Sequence, residues 1–159
     1  MSGMKSLPSE TRKLMGTGLV ILQFGLLALQ IFLALFKGPY NPVPMGAWLL
    51  VGAAIALACW TLMHNRLGNF HIRPTPKVSG ILVTSGPYRW IRHPMYTTLL
   101  LGAGALAWIS HPVTGWATWS ALAGVLFLKS VLEEHWLCEH YPEYAAYRLA
   151  SKRFLPYLF

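Results

Sequence analysis

The sequence predicts an all-α protein, a polytopic membrane bundle of four transmembrane helices with a C-terminal helical hairpin and a cytoplasmic tail. Three observations lead there. Of 159 residues, 55% are apolar and 11% are charged, against about a quarter charged in a soluble domain. The apolar residues stand in long unbroken runs. The basic residues flank those runs, so the net charge of +8 reads as membrane orientation rather than as a nucleic-acid surface.

Residues 1–13 form a short polar tail with Lys5, Arg12 and Lys13. The first span, 14–36, is long enough for ~30 Å of hydrocarbon at about 1.5 Å per residue. It is too long for a signal-peptide core, and no small-residue cleavage site follows, so it is expected to remain as a true span. Lys37-Gly-Pro-Tyr-Asn-Pro-Val-Pro44 breaks the run as a tight loop. The second span covers 45–63, with Gly52 and Ala56 as a small face for close helix approach. A long connection from His64 to Met95 follows, and a connection of this length is usually functional. Within it Ile81-Leu82-Val83 reads as a short buried extended piece or a membrane-surface anchor. The third span is 94–109 and the fourth 113–128, joined by Ser110-His111-Pro112. The fourth helix is expected to continue beyond the membrane to about Glu139. Ala103/Ala107 and Ala117/Ala121 suit a tight antiparallel hairpin. The chain is one domain, 1–159, with its chemistry-bearing motifs at 66–96 and 129–156.

Orientation follows from charge. With the N-terminus in the cytoplasm, twelve of the thirteen Lys and Arg face that side, Lys37 being the exception. Both termini and all candidate chemistry are then cytoplasmic. Cys59 lies in an apolar run and Cys138 in a charged tail, so no disulfide framework is read.

Gly86-Pro-Tyr-Arg-Trp-Ile-Arg-His-Pro-Met-Tyr96 is the centre of the chain's chemistry. Pro87 and Pro94 prevent one helix from running through it. Pro94 suits the first turn of a new helix and makes His93 its N-cap. A helix N-terminus beside Arg89, Arg92 and His93 is a place for a carboxylate or phosphate; the plain reading is a basic loop touching lipid head groups. The chain has no Asp, and four of its five acidic residues, Glu133, Glu134, Glu139 and Glu143, fall within eleven positions. Lys129 is one turn before Glu133 and can pair with it, either as a snorkelling surface pair or as part of a site. The six histidines lack metal-ligand spacing, no Gly-rich nucleotide loop is present, and a Ser/His/Asp set is impossible in its usual form. Tyr88, Tyr96, Tyr141, Tyr144 and Tyr147 bracket the two charged clusters. They fit an interfacial aromatic belt or a cage for a cation such as a sulfonium.

The stretch from Leu82 to Tyr96, with Ser-Gly-Pro-Tyr-Arg-x-x-Arg-His-Pro-Met-Tyr, is followed by Glu133-Glu-x-x-Leu137, Tyr141-Pro-Glu-Tyr-x-x-Tyr147 and Arg153-Phe-Leu-Pro156. This double motif, together with Leu67-Gly-Asn-Phe70, resembles the isoprenylcysteine carboxyl methyltransferase family, part of a wider group with phospholipid N-methyltransferases. The resemblance covers roughly residues 66–156, and the chain looks like a minimal prokaryotic-type core. Membrane sterol reductases carry a similar Arg-His-Pro piece, often followed by Asn where this chain has Met95.

The resemblance implies S-adenosylmethionine bound at the cytoplasmic end of a helical bundle. Arg92, His93, Tyr96, Glu133 and Glu134 would hold it, with Tyr88, Tyr144 and Tyr147 as aromatic walls. Arg92, His93 and the start of the third helix would take its carboxylate; Glu133 or Glu134 would take its ammonium or ribose hydroxyls. The family has a basic residue, commonly arginine, shortly before the Glu pair; Lys129 takes that place. Lys129 and Arg148 are candidates to orient the acceptor, and Glu133 to share in catalysis. The acceptor implied is a lipophilic small molecule or membrane lipid: an isoprenylcysteine-like carboxylate, a phospholipid amine or a hydrophobic thiol. No metal and no nucleic acid is expected, and the protein is expected in a bacterial or archaeal cell membrane. An NADPH-dependent membrane reductase and a non-enzymatic lipid-binding protein remain as other classes.

Overall fold

The computed structural model describes residues 9–37, 42–65 and 82–157. The motif Leu67-Gly-Asn-Phe70 and Ile81 lie outside them. The described residues form five helices: α1 (Ser9–Lys37), α2 (Met45–His64), α3 (Pro94–Ile109), α4 (Pro112–His140) and α5 (Tyr144–Ala150). A single 3-10 turn, Gly86–Arg89, precedes α3. Leu82 and Val83, expected as an extended piece, are half-buried without regular structure. Among the described residues the only β-type pairing is an isolated parallel bridge between Ile91 and Lys152.

Three helices, α1, α2 and α4, are long and apolar enough to cross a membrane. Helix α3 is apolar but has 16 residues, about 24 Å at the helical rise. Helix α1 starts ahead of its apolar run, because Glu10 in its first turn favours the positive end of the helix and pairs with Lys13 at 2.8 Å. Helix α4 runs unbroken from the bundle to His140, as the pattern beyond Leu128 suggests.

The helices pack as two pairs across a shared middle, α2 on α3 and α1 on α4, with α3 against α4. The buried positions of α2 are Ala47, Ala54 and Thr61, a seven-residue repeat that lines one stripe. Gly52, expected at an interface, has nothing within 4 Å of where a Cβ would sit, and Ala56 is exposed. Ala103 and Ala107 do face inward, but Ala117 and Ala121 are exposed. The close approach in the hairpin is made by Gly115 instead: a Cβ there would lie 2.6 Å from the Ala107 carbonyl oxygen.

The core is small. Ala103, Leu122 and Leu126 are buried, with Leu26, Leu27, Leu99, Leu100 and Trp119 packed around them. Leu14, Ile21, Phe24 and Leu35 of α1 and Trp48 and Leu49 of α2 point outward. A soluble monomer rarely carries so large an apolar face; for a bilayer protein lipid is the solvent that covers it.

Candidate active site

The site begins with a turn. Gly86 has φ +58°, a conformation that only glycine adopts freely, and a Cβ there would strike the His64 ring at the end of α2. The chain then extends through Ile91 to His93, where its backbone is taken up by the C-terminal segment. Arg92 N donates to Lys152 O at 2.8 Å, His93 N to Arg153 O at 3.1 Å, and Lys152 N to Trp90 O at 3.0 Å. Thr97 Oγ1 adds a bond to Phe154 O at 2.9 Å. His93 is the N-cap residue of α3, but its side chain makes no capping bond.

The His93 imidazole reaches α4 instead. Its Nε2 lies 3.1 Å from Glu134 Oε1, and its Nδ1 lies 3.7 Å from Glu133 Oε2. Glu134 is 2% exposed and also accepts from Arg92 Nε at 2.8 Å and from Arg153 Nε and Nη2 at 3.1 and 2.9 Å. A carboxylate this buried persists only when its charge is compensated and its lone pairs are bonded. Glu134 thus joins the entry of α3, the last third of α4 and the C-terminal segment. Arg92 extends the joint, donating through Nη1 to the Arg148 and Ser151 carbonyls at the end of α5. The free helix N-terminus expected beside Arg92 and His93 is therefore largely engaged from within.

Glu133 differs from its neighbour. Its side chain is 29% exposed, and Tyr96 Oη donates to it at 2.6 Å. The Tyr96 ring is stacked on His93 at 5.1 Å between centroids, with 6° between planes. Tyr147 Oη donates to Tyr88 O at 2.6 Å, and Tyr144, 1% exposed, packs edge-on to Tyr147. Burial, with the Glu133 charge adding to it, pushes the Tyr88 phenol up to about 12. Burial likewise raises Tyr144 and Tyr147. These phenols stay protonated at neutral pH and are not bases.

Lys129 is 2% exposed. The ion pair expected with Glu133 is not formed: Nζ donates to Gln23 Oε1 of α1 at 2.8 Å and lies 5.2 Å from the centre of the Tyr96 ring. Arg148 is exposed on α5, and its carbonyl rather than its guanidinium meets the cluster. The structure thus gathers Arg92, His93, Tyr96, Lys129, Glu133 and Glu134, walls them with Tyr88, Tyr144 and Tyr147, and leaves the Arg148 side chain outside.

Two participants escaped the sequence reading. Gln23 carried a signal, since a glutamine inside an apolar span is costly unless it faces a partner. Arg153 belongs to the Arg153-Phe-Leu-Pro156 motif, where the sequence alone gives it no role. An apolar cavity of about 260 Å³ adjoins the cluster, lined by Leu57, Trp60, Thr97, Leu101, Phe154 and Leu155 among others. Phe154 is the partition: one side lines this cavity, and its ring lies 5.9 Å from His93 and 6.5 Å from Tyr96. Among the described residues no group of three or more His, Cys or acidic side chains is placed to hold a metal.

No curated protein matches the chain. A family profile described as phospholipid methyltransferase matches residues 43–144, which takes in the 3-10 turn, α3, the Glu pair and the start of α5, and leaves α1 and the C-terminal segment outside. That match spans more than half of the sequence and takes in the Arg92-His93 turn and the Glu pair of the cluster, so the chain belongs to the phospholipid methyltransferase family of membrane methyltransferases.

Proposed function

We propose that the protein, as one domain, moves a methyl group from S-adenosylmethionine to a lipophilic acceptor drawn from the bilayer. The observation that carries this reading is the unequal state of two adjacent carboxylates. Glu134 is neutralised by two guanidiniums, is also hydrogen-bonded to the His93 imidazole, and serves the fold. Glu133 is partly open, bonded to the Tyr96 phenol, and close enough to Tyr88 for its charge to act on that phenol. A carboxylate beside aromatic faces suits a cation, and S-adenosylmethionine carries an ammonium as well as a sulfonium, so the donor set fits it. When bound, the cofactor supplies a methyl on a positively charged sulfur: the S–CH3 bond breaks as the bond from CH3 to the acceptor forms, and the sulfur is left neutral.

Glu133 holds the ammonium or the ribose hydroxyls, which stay unchanged through the transfer, rather than the sulfonium, whose charge the site should not over-stabilise. Arg92 and His93 fix Glu134, and with it the register of α4 against α3. Tyr88, Tyr96, Tyr144 and Tyr147 exclude water and orient the reactants, the main source of acceleration for a displacement of this kind. Lys129 orients the acceptor from within; Arg148 meets its head group only at the rim. The acceptor's apolar chain lies in the cavity beyond Phe154.

In this reading α3 completes four crossings as a short span, α4 spans over 113–128, and both termini are cytoplasmic, because twelve of the thirteen Lys and Arg then face that side. An NADPH-dependent reductase would use the guanidiniums of this cluster for phosphate. Arg92 and Arg153 are instead bonded to Glu134, which favours methyl transfer.

Isothermal titration of the detergent-solubilised protein tests the proposal. S-adenosylhomocysteine should bind, and Glu133→Gln should weaken that binding about tenfold or more, the effect of one charge-assisted contact, with unchanged melting. Binding of NADPH and none of S-adenosylhomocysteine would overturn it.

A further inference from the structure

Helix α1 lies outside the stretch matched to the family, yet it supplies two buried amides to the bundle. Gln30, fully buried, donates to the Ala103 carbonyl at 3.1 Å. Gln23, 4% exposed, accepts from Lys129 Nζ at 2.8 Å. The first contact is between neutral groups and holds α1 to α3. The second is different, because its donor is an ammonium buried to 2% exposure.

A buried ammonium is ordinarily matched by a carboxylate, and one stands a turn away on the same helix. Three groups face Lys129 from the elements around it: Gln23 on α1, the Tyr96 ring on α3 and Glu133 on α4. Glu133 is held by Tyr96 Oη at 2.6 Å, and Nζ is turned to the amide. An amide oxygen and a ring face solvate a cation with dipole and quadrupole. Neither cancels its charge. Lys129 is therefore hydrogen-bonded to a neutral amide and makes no ion pair, and the charge of Glu133 reaches it only through space.

We propose that Gln23 is a positioning residue that holds the Lys129 ammonium away from Glu133 and unneutralised, so that its charge is left for an oxyanion of the acceptor. This rests on the reading of Lys129 as the residue that orients the acceptor. The oxyanion is a phosphate next to the atom that receives the methyl, or a carboxylate one oxygen of which receives it. The specificity of the site is then set in part by a helix beyond the family segment.

The decisive variant is Gln23→Glu. It keeps the shape and strengthens the bond to Lys129, so a merely structural Gln23 tolerates it. Under the proposal it neutralises Lys129 and lowers turnover about tenfold or more, while melting and the KM for S-adenosylmethionine stay as in the wild type. The assay follows label from methyl-labelled S-adenosylmethionine into lipids extracted from the membranes of the expressing cells, using the full chain. Label in the phospholipid fraction identifies a phosphate-bearing acceptor; base-labile label in the neutral lipid fraction identifies a carboxylate, whose methyl ester is uncharged.

A double-mutant cycle with Gln23→Met and Lys129→Met completes the test. Each alone should lower kcat about tenfold, and Gln23→Met should add less than about twofold once Lys129 is gone. Wild-type turnover in Gln23→Glu, or fully additive losses in the cycle, overturns the role of Gln23. Wild-type turnover in Lys129→Met defeats the underlying role of Lys129, and the inference with it. Absence of label with the unmodified chain defeats the methyl-transfer reading itself.

Discussion

Replacing Glu134 by glutamine keeps the side chain's shape and removes its charge. In the native structure that carboxylate accepts from Arg92, His93 and twice from Arg153, at 2.8 to 3.1 Å, and is 2% exposed. An amide offers one oxygen where the carboxylate offers two. Its NH2 group would face guanidinium donors, and Arg92, with a side chain 9% exposed, would keep a buried charge. Removing one partner of a buried ion pair costs about 3 to 5 kcal/mol. For a chain of this size that corresponds to a fall in melting temperature of roughly ten degrees. Thermal unfolding in detergent, followed by tryptophan fluorescence, measures it. Limited proteolysis should show the chain after Tyr144 released first, because Arg153 and Arg92 both hold it through this carboxylate. Glu133→Gln is the control, with native melting and loss of S-adenosylhomocysteine binding. If Glu134→Gln melts with the wild type, or if both variants lose ligand equally with intact stability, the division of labour between the two carboxylates is wrong.

The proposed orientation is open to cysteine labelling in intact cells, after Cys59 and Cys138, both exposed, are changed to serine. A cysteine at His111 should react with an impermeant thiol reagent and one at Leu149 should not; the reverse pattern rejects the topology. Phe154→Ala removes the partition between the apolar cavity and His93, so the KM for the lipophilic acceptor should rise while S-adenosylhomocysteine affinity stays within a few-fold. Loss of cofactor affinity in that variant would place Phe154 in the cofactor site instead.

Much of this architecture is legible in the chain. The apolar runs mark the helices, but the polar residues beyond Leu128 do not mark an exit from the core, because α4 stays buried at Lys129, Ser130, Glu134 and Trp136. The resemblance of the Arg92-His93-Pro94 and Glu133-Glu134 motifs to a methyltransferase family, rather than their spacing, marks the two sides of the cluster. What is not legible depends on contacts distant in sequence. Lys129 and Glu133 are spaced to pair along one helix, and local spacing permits that contact. It cannot reveal that an amide 106 positions away competes for the ammonium. Likewise Ala117 and Ala121 are small enough for a helix interface, but which face of α4 turns inward is decided by Leu122, Leu126 and Gly115 meeting α3. The assignment of Arg92 to Glu134, rather than to a ligand, depends on Arg153, which reaches the same carboxylate from a segment with no helical or strand pattern of its own.

The bridge between Ile91 and Lys152 has a consequence for the order of assembly. Helices α1 to α4 all precede, in chain order, the last pieces of the cluster, the main chain at Lys152 and the Arg153 and Phe154 side chains, and so leave the ribosome before them. Until they arrive, Glu134 faces Arg92 and His93 alone, and the N–H groups of Arg92 and His93 lack their partners. An inserted bundle and a finished site are therefore separate stages. A message truncated ahead of Ser151 yields a protein that reaches the membrane, holds its helices, and still lacks the strap that closes the cluster.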